Sequence, residues 1–205
     1  MTRPRIIAAG VPLARADKAV ILLQGRGATA ADIFSLTDHF AQNDLAYVAP
    51  QAPGNSWYPH SFLAPLEDNE PALSEALATV GELIESLAKD GVAPERVVLL
   101  GFSQGGCLAL EYAARHARRY AAVIGLSAGL IGPQNTPRNY AGSLAGTPVF
   151  LGCDDMDDHI PIERVKESTR VLRDLGGEVK QRIYSGMGHG INDDELAEVR
   201  NLLQA

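Results

Sequence analysis

Val97-Val98-Leu99-Leu100-Gly101-Phe102-Ser103-Gln104-Gly105-Gly106 decides how the rest of the chain is read. An apolar, β-branched run enters Gly-x-Ser-x-Gly, and an Ala/Leu-rich segment follows it. That is the sequence form of a nucleophile elbow: a strand, a sharp turn carrying a serine, then a helix. Ser103 must sit on a strained turn for its hydroxyl to project above the sheet edge. Gly101 and Gly105 must lack side chains for strand and helix to pass closely. The backbone N–H of Gln104, at the helix N-terminus, is then aimed at the position where an oxyanion would form.

Working outward, strands and helices alternate, as a parallel sheet covered on both faces requires. Strands are predicted at 19–24, 46–49, 97–102, 121–126, 149–153 and 179–184. Thr29 opens a helix in a Thr-x-x-Asp box with Asp32, whose apolar stripe is Ile33, Leu36 and Phe40. Leu73, Leu77, Val80, Leu83, Ile84 and Leu87 hold helical spacing until Gly91. Further helices follow the elbow through Arg115, span Ile162 to Leu175, and open at Asp193-Asp194-Glu195, where acid suits the helix dipole. No repeat or linker interrupts the pattern, so residues 1–205 read as one α/β domain. Two irregular segments, 51–70 and 129–146, are long enough to suggest a functional role.

Composition bounds the partners. The chain has 205 residues, 46% hydrophobic and 21% charged, an ordinary globular balance. A net charge of −7 without a Lys/Arg cluster argues against nucleic acid and anionic membranes. No run approaches the roughly 18 apolar residues of a membrane span. The apolar stretch after the basic start is too short for a secretory signal. Two cysteines, Cys107 and Cys153, match neither a disulfide framework nor a zinc site. A cytoplasmic protein without metal or cofactor is expected.

A Gly-x-Ser-x-Gly match recurs by chance, so the chain must also supply an acid and a histidine, in that order and at strand ends. His189 stands on Ser185-Gly186-Met187-Gly188-His189-Gly190, just past the last predicted strand. His39 and His116 fall on helices, His60 in the long loop and His159 beside the acids. The acid is less determined. Asp154, Asp155, Asp157 and Asp158 all follow the strand ending near Cys153, and local chemistry does not choose among them. The same cluster could bind a divalent cation, although its spacing is not that of an EF-hand. The second oxyanion donor belongs on the loop after the first strong strand, Gln24-Gly25-Arg26-Gly27, and the N–H of Arg26 is the candidate. Trp57, Tyr58, Phe62 and Leu63 on the long loop, with Phe102 and Met187, are candidates for an apolar substrate pocket. The Arg26 side chain either brings positive charge to its mouth or is simply solvated.

These motifs resemble, in order along nearly the whole chain, the phospholipase/carboxylesterase family of α/β-hydrolases, which includes acyl-protein thioesterases and small bacterial carboxylesterases. The resemblance is carried by Leu22-Leu23-Gln24-Gly25-Arg26-Gly27, Pro50-Gln51-Ala52-Pro53, Trp57-Tyr58, Gly101-Phe102-Ser103-Gln104-Gly105-Gly106, Asp157-Asp158-His159-Ile160-Pro161 and Gly188-His189. In that family the triad acid stands four residues before the proline of a Val-Pro or Ile-Pro pair, which selects Asp157. Two departures are visible: Gln24-Gly25 replaces the family's usual His-Gly, and the acid segment is longer than usual.

The resemblance implies an α/β-hydrolase fold, a mostly parallel central sheet with helices on both faces and no separate lid domain. It implies a serine hydrolase that cleaves carboxylic esters of short to medium acyl chain through a Ser103-His189-Asp157 acyl-enzyme mechanism. Acyl-thioesterase or lysophospholipase activity on the same triad is the alternative. Outside that class stand a non-catalytic binding module on the same fold and a metal-dependent hydrolase using the Asp154–His159 cluster. The expected partner is a small-molecule ester or thioester, with a homodimer left open.

Overall fold

The computed structural model describes residues 5–40 and 42–205. Seven strands form a single sheet in the order β1-β3-β2-β4-β5-β6-β7. They are β1 (Ile6–Gly10), β2 (Lys18–Leu23), β3 (Leu45–Pro50), β4 (Val97–Phe102), β5 (Ala122–Leu126), β6 (Pro148–Asp154) and β7 (Glu178–Tyr184). Only β1 runs antiparallel, against β3; the remaining pairs are parallel. β1 is not among the predicted strands. It is an outer strand with mostly exposed residues and carries no buried alternation to read.

Apart from Lys18 at the start of β2 and Asp154 at the end of β6, the strands from β2 to β6 are apolar because the sheet is covered on both faces. Ala19, Ile21 and Leu23 of β2 and Leu99 of β4 point into one core, with α2 (Ala72–Lys89), α3 (Gln104–Arg115) and α4 (Ile162–Asp174). Val20, Leu22, Leu100 and Phe150 point into the other, with α1 (Ala30–Ser35) and α5 (Asp193–Gln204). The period-2 geometry of a strand divides each run between two cores.

Helix α1 begins in the Thr29–Asp32 capping box but gives way to a 3-10 turn at Leu36–His39, so its stripe is not one continuous helix. Helix α5 is capped by Asn192, whose side chain accepts from the Glu195 amide at 2.9 Å. The Glu195 carboxylate accepts from the Asn192 amide in return, at 3.0 Å.

Chain order turns one way from β2 to β3 and the other way from β4 to β5. The loop after β2 therefore leads to α1 on one face and the loop after β4 to α3 on the other. They leave a crevice at the carboxyl edge of the sheet.

Candidate active site

The turn after β4 is built by steric necessity. Ser103 has φ 53° and ψ −121°, and its N–H donates to Leu126 O at 2.9 Å. A Cβ added at Gly101 would lie 2.3 Å from the carbonyl of Gly105. One added at Gly105 would lie 2.1 Å from Leu23 O, so β2, β4 and α3 touch backbone to backbone here. A side chain at either position would push the serine out of place.

Ser103 Oγ lies 2.8 Å from His189 Nε2. His189 Nδ1 lies 2.8 Å from Asp157 Oδ2 and 3.0 Å from Oδ1. Three loops, after β4, β6 and β7, thus converge on one line of hydrogen bonds. The imidazole packs against Phe102 on one side (5.1 Å between centroids) and edge-on against His159 on another (4.6 Å). Its reorientation is restricted accordingly.

The Asp157 side chain is fully buried, and its Oδ1 also accepts from the amides of His159 (2.8 Å) and Ile160 (3.0 Å). Burial pushes the carboxyl up, but the hydrogen bonds from His189 and those two amides outweigh it and hold the group below the usual carboxylate range. Asp155 and Asp158 are exposed, and the Asp154 carboxylate is taken up by backbone amides. Among the described residues no three His, Cys, Asp or Glu side chains converge to hold a metal ion.

Gln104 contributes twice. Its amide heads α3 and Arg26 stands across the crevice, and neither backbone N–H has an acceptor among the described residues. Its side chain accepts from Trp57 N at 2.9 Å and donates to Tyr58 O at 2.8 Å, which pins the 51–70 segment to the elbow. The Arg26 side chain is exposed, but its guanidinium is not free. It donates to Ser56 Oγ, Pro59 O and His60 O and lies over the Tyr58 ring, so its charge serves to hold the loop. Gln24 is fully buried; with its amide oriented so that both ends find partners, it donates to Pro50 O at 3.0 Å and accepts from Gln51 Nε2 and Ala52 N at 2.9 and 3.1 Å. Gln24 thus buttresses the loop that carries Arg26.

A cavity of about 450 Å³ opens beside Ser103. Tyr58, Phe62 and Phe102 line it; Trp57, Leu63 and Met187 do not. Trp57 turns away toward α2, its indole N–H donating to Gln24 O at 2.9 Å. Leu63 packs on the core, and the Met187 sulfur accepts from Asn192. Cys107, His159 and Ile160 line the cavity instead. Their signal was adjacency: Cys107 lies one turn past Ser103, while His159 and Ile160 follow the acid. Burial pushes the Cys107 thiol up to about 12, so it remains a neutral wall beside the serine.

The 129–146 segment contributes nothing to this cavity. It is stapled down by buried Arg164, which donates to Leu130 O and Gly132 O, and by the Arg138–Glu167 and Glu111–Arg138 ion pairs.

A family model described as Phospholipase/Carboxylesterase matches residues 3–205. The chain is 46% identical to a crystallised phospholipase/carboxylesterase from Dyadobacter fermentans, with TM-score 0.94 over 98% of this chain and 97% of that one. Esterase PE8 superposes with TM-score 0.83 at 26% identity, covering 99% of both chains. Acyl-protein thioesterase 1 of Saccharomyces cerevisiae is 25% identical over 92% of each chain. That of Gibberella zeae is 34% identical over 60% of this chain, a stretch that spans about half (53%) of the relative. The chain belongs to the phospholipase/carboxylesterase family and has its α/β-hydrolase fold.

Proposed function

We propose that this protein is a serine hydrolase that cleaves carboxylic esters of short to medium acyl chain. Ser103 Oγ attacks the carbonyl while His189 takes its proton. The amides of Arg26 and Gln104 receive the oxyanion, and Asp157 orients and stabilises the imidazolium. His189 then protonates the leaving alkoxide, and water repeats the sequence on the acyl-enzyme. The observation that carries this reading is the unbroken line Ser103 Oγ–His189 Nε2, His189 Nδ1–Asp157 Oδ2, each 2.8 Å, at the carboxyl edge of the sheet.

The cavity of about 450 Å³ with Phe62, Phe102 and Ile160 in its walls supports an apolar acyl group of modest size. The reading takes residues 1–205 as one domain acting in the cytoplasm on a small molecule. The net charge of −7, which repels nucleic acid and anionic surfaces, supports the small-molecule substrate. No described helix is long and apolar enough to cross a membrane.

Labelling with a fluorophosphonate, read by intact mass and peptide mapping, tests the chemistry. One adduct on Ser103, absent in His189→Ala, is expected; folded protein without an adduct overturns the reading. Thioester cleavage is the second reading, favoured by the likeness to proteins described as acyl-protein thioesterases. Esters and thioesters of matched acyl length, compared by kcat/KM, decide between them.

A further inference from the structure

The catalytic line uses Asp157 and leaves unexplained the buried carboxylate three residues before it. Asp154 ends β6 and is 1% exposed. Its Oδ1 accepts from the amide of Met156 at 2.8 Å, on the loop that carries Asp157. Its Oδ2 accepts from the amide of Met187, on the loop that carries His189. β6 and β7 pair in register as far as Asp154 opposite Tyr184, and Asp155 N closes the ladder on Tyr184 O at 2.8 Å. Beyond that point no backbone–backbone bond joins the two loops among the described residues. The Asp154 carboxylate extends the ladder past the strand ends in its place. On the far side of His189, Ser127 Oγ donates to Gly190 O at 3.0 Å, so the histidine is bracketed by two anchors.

We propose that Asp154 is a positioning residue: it clamps the histidine loop to the acid loop and so sets the Asp157–His189–Ser103 alignment. The proposal rests on the triad reading above. It needs an ionised group, because a carboxylate presents acceptors on both oxygens. An asparagine offers one acceptor and turns an NH2 toward the other amide, setting donor against donor. The Met156 amide first, and then that of Met187, hold the carboxylate below its ordinary range against the opposing effect of burial, and so favour the ionised form.

The test is a double-mutant cycle of Asp154→Asn and Asp157→Asn on a p-nitrophenyl ester, with active sites counted by phosphonate titration. Asp154→Asn is expected to lower kcat per titrated site by about 10- to 100-fold with KM within about twofold. In the Asp157→Asn background the same change is expected to cost less than about threefold, because the alignment it protects is already lost. A kcat near wild type overturns the proposal. So do effects that multiply, or a smaller titrated fraction with unchanged kcat per site, which mark a purely structural role. If Asp154→Asn does not fold, Asp154→Ser, whose single oxygen reaches fewer amides, enters the same cycle with the same criteria. Failure of the triad reading shows separately, as Asp157→Asn or Ser103→Ala retaining wild-type kcat.

Discussion

The two halves of the proposed catalytic line are held by different physics. On the serine side, backbone meets backbone: Gly101 packs on Gly105, Gly105 on Leu23, and the strained Ser103 backbone follows. On the acid and histidine side, two loops beyond the strand ends are joined through side chains. Asp157 accepts from the amides of its own loop and Asp154 bridges to the next. Packed backbone has one arrangement and fails all at once. Hydrogen-bonded loops can be loosened by one bond at a time, and their charges answer to pH.

The largest effects come from removing the groups themselves. Ser103→Ala is expected to lower kcat by about 10,000-fold or more while the melting temperature stays near wild type. Asp157→Asn, which keeps the shape but not the charge, is expected to cost about 1,000- to 10,000-fold. Steady-state kinetics on the ester that labels Ser103 checks both. Equal loss in the double variant would mark the residues as one unit.

Gly105→Ala sharpens the contrast through stability. The added Cβ meets a main-chain carbonyl at 2.1 Å, which no rotamer relieves. About 3 kcal/mol or more of destabilisation is expected, at the upper end for overpacking, with activity falling in the same step. Denaturant unfolding reads the first and phosphonate labelling the second. A stable, active Gly105→Ala would mean that the elbow is not held as described.

What could be read from the residues divides along the same line. The elbow was legible because its requirements are local: two glycines, a serine and a strand before a helix. The inner strands were legible as apolar runs, while β1, exposed along most of its length, was not. No local rule chose among four aspartates on one short loop, because the choice depends on which carboxylate meets His189 across space. Only the family spacing before Pro161 selected Asp157, whose carboxylate is the one found against the imidazole. The pocket was the least legible. An irregular loop has no periodicity to assign sides, so Trp57 and Leu63 could not be told from Tyr58 and Phe62. Asp154 had a readable residue type, but the positioning role proposed for it rests on the Met187 amide 33 residues away.

The smallest expected effect probes how far charge governs the histidine side. Glu195, third residue of α5, is fully buried; one oxygen caps Asn192 at the end of the histidine loop and the other, Oε1, has no partner among the described residues. Burial raises its carboxyl from 4.5 to about 7, against the lowering influence of the Asn192 amide. The folded chain therefore binds a proton more tightly than the unfolded chain. Stability from this group is fully present below pH 4.5 and is lost as pH rises through about 7, by about 3 kcal/mol at most. Glu195→Gln keeps an oxygen for the Asn192 amide and cannot ionise. Urea unfolding of both proteins at pH 5 and pH 8 isolates the contribution, because titrations shared by the two chains cancel. The variant is expected to gain on wild type between those pH values. A constant difference would mean that Glu195 stays in one protonation state across the range, and that the histidine loop rests on neutral contacts as the elbow does.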